Sequence, residues 1–118
     1  MKIRETIEAY YRGLNQKKGW EATIHDGMIF SGPNTKTIGK AAYLEATSRF
    51  LQMVEAVHVG NLAIENNEGS VIAYYDLVSS AGKSLRMRIS EIFTVKDDLL
   101  ISSEIFFDTD TFRQFIMS

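Results

Sequence analysis

From residue 57 to residue 107 the chain takes on a two-residue period, and this limits its fold more than any other feature. Four apolar segments, 57–65, 70–79, 84–95 and 99–107, are separated by Asn66-Asn67-Glu68-Gly69, Ser80-Ala81-Gly82-Lys83 and Lys96-Asp97-Asp98. Connections this short join antiparallel neighbours, because a parallel crossover needs a dozen residues or more. The segments therefore predict a meander of hairpins.

The part before the meander is helical. Ile3, Ile7, Tyr10, Tyr11 and Leu14 recur at helix spacing, with Lys2, Glu5, Glu8 and Arg12 between them. Gly19 ends this helix or opens the next turn, and residues 20–24 make a short second helix anchored by Trp20, the only tryptophan. Met28-Ile29-Phe30 reads as a short strand before a loop at Ser31-Gly32-Pro33-Asn34. Residues 39–54 form a further helix, with Tyr43, Ala46, Phe50 and Met53 along one side. After the strands, Asp108 or Thr109 caps a last helical turn that buries Phe112 and Phe115. Helices followed by a run of antiparallel strands is an α+β pattern. If such a sheet curls, the space between it and the helices becomes a cavity.

The segment 84–95 shows what lines that space. Its odd face carries Leu85, Met87, Ile89, Glu91, Phe93 and Val95, and its even face carries Ser84, Arg86, Arg88, Ser90, Ile92 and Thr94. The odd face is the inner one, and Glu91 is the only charge on it. Burying an unpaired carboxylate costs several kcal/mol, about the whole margin of a small domain. Glu91 is therefore paired, wet, protonated or functional. In the preceding segment both faces are apolar, and Asp76 interrupts the one that holds Ile72, Tyr74 and Val78. A four-residue turn at 80–83 makes that even face continuous with the odd face of 84–95. Pairing of Val95 with Leu99 sets Ser103 opposite Glu91. The expected lining is thus Tyr74, Asp76, Val78, Met87, Ile89, Glu91, Phe93, Ser103, Ile105 and Phe107. A few polar groups in an apolar concavity suit a small-molecule site, and burial lifts a carboxyl pKa toward the range of acid–base work. A structural role for either acid, satisfied by a tyrosine, an arginine or water, is the competing reading.

Composition narrows the function classes. The 118 residues make one domain, 1–118, and 45% hydrophobic residues suffice for a core without staples. A net charge of -2 gives no reason to expect nucleic acid or a membrane surface as a partner. The absence of cysteine excludes disulfides, thiolate nucleophiles and iron–sulfur clusters. No apolar run is long enough to cross a bilayer and no signal peptide is visible, so a cytoplasmic location is expected. No His or carboxylate pair has metal-ligand spacing and no Gly-rich phosphate loop occurs, so neither metal nor cofactor is expected. His25 and His58 carry little signal.

Several segments resemble one family. They are Trp20-Glu21-Ala22, the run from His25 to Pro33, Ile38-Gly39-Lys40-Ala41-Ala42-Tyr43-Leu44, the run from Ile92 to Ile101, and Phe106-Phe107-Asp108-Thr109. Together they look like a SnoaL-like domain of the nuclear transport factor 2-like superfamily, over essentially the whole chain. That superfamily includes ketosteroid isomerase, limonene epoxide hydrolase and polyketide cyclases. The resemblance implies a cone-shaped α+β barrel, with helices on a strongly curved, mainly antiparallel sheet around a deep apolar pocket. It also implies a homodimer through the outer sheet face, here Arg86, Arg88, Ser90 and Ile92. Tyr10 matches the isomerase's oxyanion-binding tyrosine, Glu91 its protonated acid, and Phe107 a pocket aromatic. The isomerase base position is Gly32, so the simple steroid isomerase reaction is not expected. The Asp-Arg-Asp set of the epoxide hydrolase is missing too, since Ile89 stands two residues before Glu91. What remains is an acid–base isomerase, cyclase or lyase acting on an apolar carbonyl compound, with Glu91 and Tyr10 polarising the carbonyl and Asp76 moving the proton. A non-catalytic ligand-binding domain and a dimerisation module are the alternatives.

Overall fold

The computed structural model describes residues 2–117. The apolar stripe of the first segment winds into α1 (Lys2–Gln16), whose buried side holds Ile7, Tyr10, Tyr11 and Leu14. Gly13 sits on that side because a Cβ there would lie 2.4 Å from the backbone nitrogen of Trp20. The close approach lets a 3-10 turn (Trp20–Thr23) fold back on α1 and bury the indole. The chain continues through β1 (Ile24–Ser31), β2 (Lys36–Ile38), α2 (Lys40–Leu51), β3 (Val54–Glu65), β4 (Glu68–Val78), β5 (Ser84–Lys96), β6 (Leu99–Phe106) and α3 (Thr109–Met117). β1 is longer than the expected strand, and α2 stops at Leu51, so Val54 opens β3 instead of closing the helix. Asp108 does cap α3, its Oδ1 accepting from the N–H groups of Asp110 and Thr111 at 3.1 Å each.

The six strands form one mixed sheet in the order β2-β1-β6-β5-β4-β3. The meander β3 to β6 is antiparallel throughout, as the short connections require, and β1 joins it parallel to β6. The architecture is α+β, with the sheet curled around the helices but not closed. Two side-chain clamps tie the helical layer to β3. Asn15 accepts from the Val57 N–H at 2.8 Å and donates to the Val57 carbonyl at 2.9 Å. The Lys17 ammonium donates to the carbonyls of Leu51 and Val54, where the helix gives way to the strand.

Two registers differ from expectation. The β4–β5 loop is one residue shorter than the sequence suggested. The Ser79 N–H bonds the Lys83 carbonyl, and Gly82 takes a left-handed φ of 84° in a three-residue turn. This pairs Leu77 with Leu85, Tyr75 with Met87 and Val71 with Glu91. The odd face of β4 therefore continues the odd face of β5. Tyr74, Asp76 and Val78 are thereby moved to the opposite side, which corrects the expected lining. A one-residue change exchanges the two faces of a strand. In the β5–β6 hairpin the turn is Asp97-Asp98, both at positive φ, and Lys96 pairs with Leu99. An irregularity next to Val95 then shifts the ladder, so Glu91 lies opposite Ile105 and Ser103 lies opposite Phe93. Ser103 keeps the expected inner face but is displaced by two residues from Glu91.

The inner face holds the core. Val71, Ala73, Tyr75 and Leu77 of β4 and Met87, Ile89, Glu91, Phe93 and Val95 of β5 are all buried, and Glu91 is 4% exposed. On the even face Arg86, Arg88 and Glu104 are exposed, while Ile72, Tyr74, Asp76, Ser90 and Ile92 are half-buried.

Candidate functional site

The curl of the sheet leaves a cavity of about 650 Å³ between it and the helices. Its sheet wall is Tyr75, Met87, Ile89 and Glu91, with Ile105 and Phe107 beside them. Tyr10 and Leu14 of α1 and Tyr43, Thr47 and Phe50 of α2 supply the helical wall. The loop at residues 32–35 and α3, through Phe112, Arg113 and Ile116, complete the enclosure. Phe112 is held by ring contacts to Phe107 at 5.7 Å and Phe50 at 6.3 Å, which seats α3 at the cavity.

Glu91 is the polar centre of this wall. Its Oε1 accepts from the Tyr75 hydroxyl at 2.5 Å and from the Tyr11 hydroxyl at 2.7 Å. Its Oε2 makes no hydrogen bond to a described residue. Burial pushes the carboxyl pKa above its ordinary value of 4.5, against the two tyrosine donors, which favour the charged form. The same burial raises the hydroxyls of Tyr10, Tyr11, Tyr43 and Tyr75, so none of them is a base near neutral pH. With Oε1 already accepting twice, the proton of the neutral acid belongs on Oε2.

Tyr10 lines the cavity but makes no hydrogen bond to Glu91. Its hydroxyl shares a 2.5 Å hydrogen bond with that of Tyr43, and its ring packs edge-on against Tyr11 and Phe93. The partners of Glu91 are Tyr11 and Tyr75, neither of which sequence reasoning selected. A signal existed: four of the five tyrosines, at 10, 11, 43 and 75, fall on segments whose apolar faces must be buried. A buried phenol needs a hydrogen-bond partner, and an inward carboxylate needs donors.

The remaining sequence candidates divide. Met87, Ile89, Ile105 and Phe107 line the cavity. Phe93 is fully buried beneath it against Tyr10 and Tyr11. Ser103 is 2% exposed, away from the cavity wall, and its hydroxyl has no hydrogen-bond partner among the described residues. Asp76 lies on the other face of the sheet. There Arg86 donates to both its oxygens, at 2.7 and 3.0 Å, and His58 Nε2 approaches Oδ2 at 2.9 Å. These partners, Arg86 foremost, hold its carboxyl down to about 2. Asp76 is thus neither in the cavity nor basic. His58 belongs to that cluster, and His25 accepts the Gly27 N–H at its Nδ1, so neither histidine lines the cavity. Gly32 does line it, and a Cβ there would meet Ile105 at 3.3 Å. Apart from Glu91, the carboxylate on the wall is Asp110 of α3, bonded by Arg113 and Gln114. Among the described residues no group of three His, Cys, Asp or Glu could hold a metal ion, and no helix is long and apolar enough to cross a membrane.

Solved structures similar to this one share its fold at low identity. An NTF2-like protein of unknown function from Burkholderia pseudomallei superposes with a TM-score of 0.90 at 11% identity, covering 100% of this chain and 99% of that one. TerC, co-crystallised with polyporic acid, gives 0.88 at 18% identity with 100% of both chains covered. A putative SnoaL-like polyketide cyclase from Jannaschia sp. CCS1 gives 0.87 at 16% identity, covering 99% and 92%. No curated protein matches the chain. A family model for the SnoaL-like domain matches residues 7–103, and the chain belongs to that family.

Proposed function

We propose that the cavity binds a small, mainly apolar molecule by its carbonyl oxygen, and that the domain is an isomerase, cyclase or lyase working by acid catalysis. The observation that carries this reading is Glu91, a carboxyl whose burial favours its neutral form, accepting twice at Oε1 and without a hydrogen-bond partner among the described residues at Oε2. Oε2–H then donates to the carbonyl. A donor poised where negative charge develops stabilises an enolate or alkoxide more than the neutral ketone. One hydroxyl of the Tyr10–Tyr43 pair retains a proton for a second donation. Met87, Ile89, Ile105 and Phe107 hold the apolar body. The α-proton leaves to water or to a basic group of the ligand itself, because the wall offers no protein base beyond the ion-paired Asp110.

The same lack of a base, with Gly32 at the isomerase base position, favours the second reading, a ligand-binding domain that does no chemistry. Incubation with a panel of enolisable aryl ketones in D2O separates the two. The catalytic reading expects α-hydrogen exchange above the buffer rate, reduced about 10²-fold in Glu91→Gln. Exchange that survives this substitution unchanged removes the role of Glu91. Binding without exchange leaves the second reading. The half-buried Ile72, Tyr74 and Ile92 and the exposed Phe106 further support a homodimer through the even sheet face. Analytical ultracentrifugation of Ile92→Asp tests it, and a wild-type chain that sediments as a monomer refutes it.

A further inference from the structure

The charged groups of the cavity wall are unevenly placed. Glu91 lies on the sheet among the buried tyrosines, whereas Arg49, Arg113 and Asp110 come from the two helices that enclose the opposite side. Arg49 is on the last turn of α2 and Arg113 is on α3, and their side chains are 69% and 65% exposed. Among the described residues each pairs with a carboxylate of its own helix. Arg49 reaches Glu45 at 3.4 Å, and Arg113 bonds Asp110, whose second oxygen is taken by Gln114 at 3.2 Å. Exposed pairs within one helix hold little energy, and a guanidinium has five donors, so both arginines keep most of their capacity for another anion. Glu45 does not line the cavity, so on the helical side of the wall two guanidinium groups stand with one carboxylate, Asp110.

Building on the carbonyl-binding reading of Glu91, we propose that the ligand is an amphipathic acid. Its apolar body fills the cavity, its carbonyl meets Glu91, and its carboxylate or other anionic group lies between Arg49 and Arg113. The chemistry at the two ends differs as the ligand's must. A neutral acid donates at the inner end without demanding charge, and guanidinium groups supply the bidentate recognition of a carboxylate at the solvent end. The arginines thus select among carbonyl compounds without taking part in the reaction.

The test uses a matched pair of probes, 6-acetyl-2-naphthoate and its methyl ester, titrated into the whole protein by isothermal calorimetry. The acid is expected to bind about tenfold more tightly than the ester, and the ratio to fall toward one as NaCl rises from about 0.05 M to about 0.5 M. In Arg49→Gln/Arg113→Gln the ratio falls to near one at low salt. Because both probes meet the same preparation, a loss of folded protein cancels from the ratio. An ester that binds wild type as tightly as the acid overturns the arginine rim and leaves the carbonyl reading intact. An acid preference that vanishes in the arginine variant, with neither probe weakened by Glu91→Leu, supports the rim and overturns the role of Glu91. If neither probe binds, both fall.

Discussion

Replacing Glu91 separates a neutral buried acid from an ionised one through stability alone, with no ligand needed. Glutamine has the shape of the protonated acid, and its carbonyl oxygen can accept from both Tyr11 and Tyr75 as Oε1 does. Near pH 5 Glu91→Gln should therefore lie within about 1 kcal/mol of wild type. The two then diverge as pH rises. A carboxyl whose pKa is raised on folding stabilises the fold fully below its unfolded value, here 4.5, and that contribution is lost as pH climbs toward the folded value. Over that window wild type loses about 1.4 kcal/mol per pH unit from this group, and the glutamine variant loses none of it. Leucine behaves differently, because it leaves both hydroxyls without an acceptor. Tyr75 lines the cavity and can turn to water, whereas Tyr11 is sealed in, so the cost is about 2–4 kcal/mol near pH 5 and shrinks at higher pH as wild type itself loses stability. Urea unfolding followed by the fluorescence of the buried Trp20, from about pH 5 to about pH 8, measures all three proteins. A constant difference between wild type and Glu91→Gln across that range would falsify the neutral acid.

Three further substitutions probe the frame around the site. Asp76→Asn should lower stability near neutral pH, and the deficit should vanish as pH falls toward about 2, because a depressed carboxyl stabilises only while ionised; thermal melts read this, and ligand binding should not change, since Asp76 is on the far face of the sheet. Gly13→Ala should destabilise by about 1–3 kcal/mol in spite of the better helix propensity of alanine, because the new methyl meets Trp20 backbone at 2.4 Å; a rise in Tm would show that the 3-10 turn yields freely. Asn15→Ala should cost about 1–3 kcal/mol by unpairing the Val57 N–H and carbonyl from their side-chain partner, and Asn15→Asp should recover only the N–H bond, which hydrogen exchange at Val57 would register.

The strands and their order along the chain were legible because alternation is a local property of sequence. The odd residues of β5 are apolar except at Glu91, and that pattern alone placed the acid on the inner face, where it is found. Pairing between strands is not local in the same way, and it depends on how many residues each turn absorbs. The four residues Ser80-Ala81-Gly82-Lys83 look like a loop, but Lys83 is drawn into the ladder by its bond to Ser79, and Gly82 makes the shorter turn possible. That one residue exchanges the faces of β4, removing Asp76 from the cavity and bringing Tyr75 into it. Both faces of β4 are apolar, so hydrophobicity could not have detected the error. The parallel join of β1 to β6 was equally hidden, since it brings together segments about 70 residues apart with no connection to mark it.

The exchange of Asp76 for Tyr75 changes the chemistry that the site can do. With Asp76 inside, the cavity would have held two carboxyl groups, and mutual repulsion would have raised the pKa of one while leaving the other ionised as a base. With Tyr75 inside, the second partner of Glu91 is a phenol that burial keeps protonated. A phenol donating to Oε1 favours the carboxylate, while burial opposes it, and burial is the larger influence. With the acid in its neutral form the deep end of the cavity presents donors, and a proton taken from the ligand must go somewhere other than a side chain of that wall. An enolisable substrate that carries its own basic group, or whose α-proton water can reach, meets this condition, and a ketone without an α-hydrogen does not. On the proposed reading, the absent base at Gly32 and the position of Asp76 thus lead to the same requirement, that the protein supply the acid and that water or the ligand supply the base.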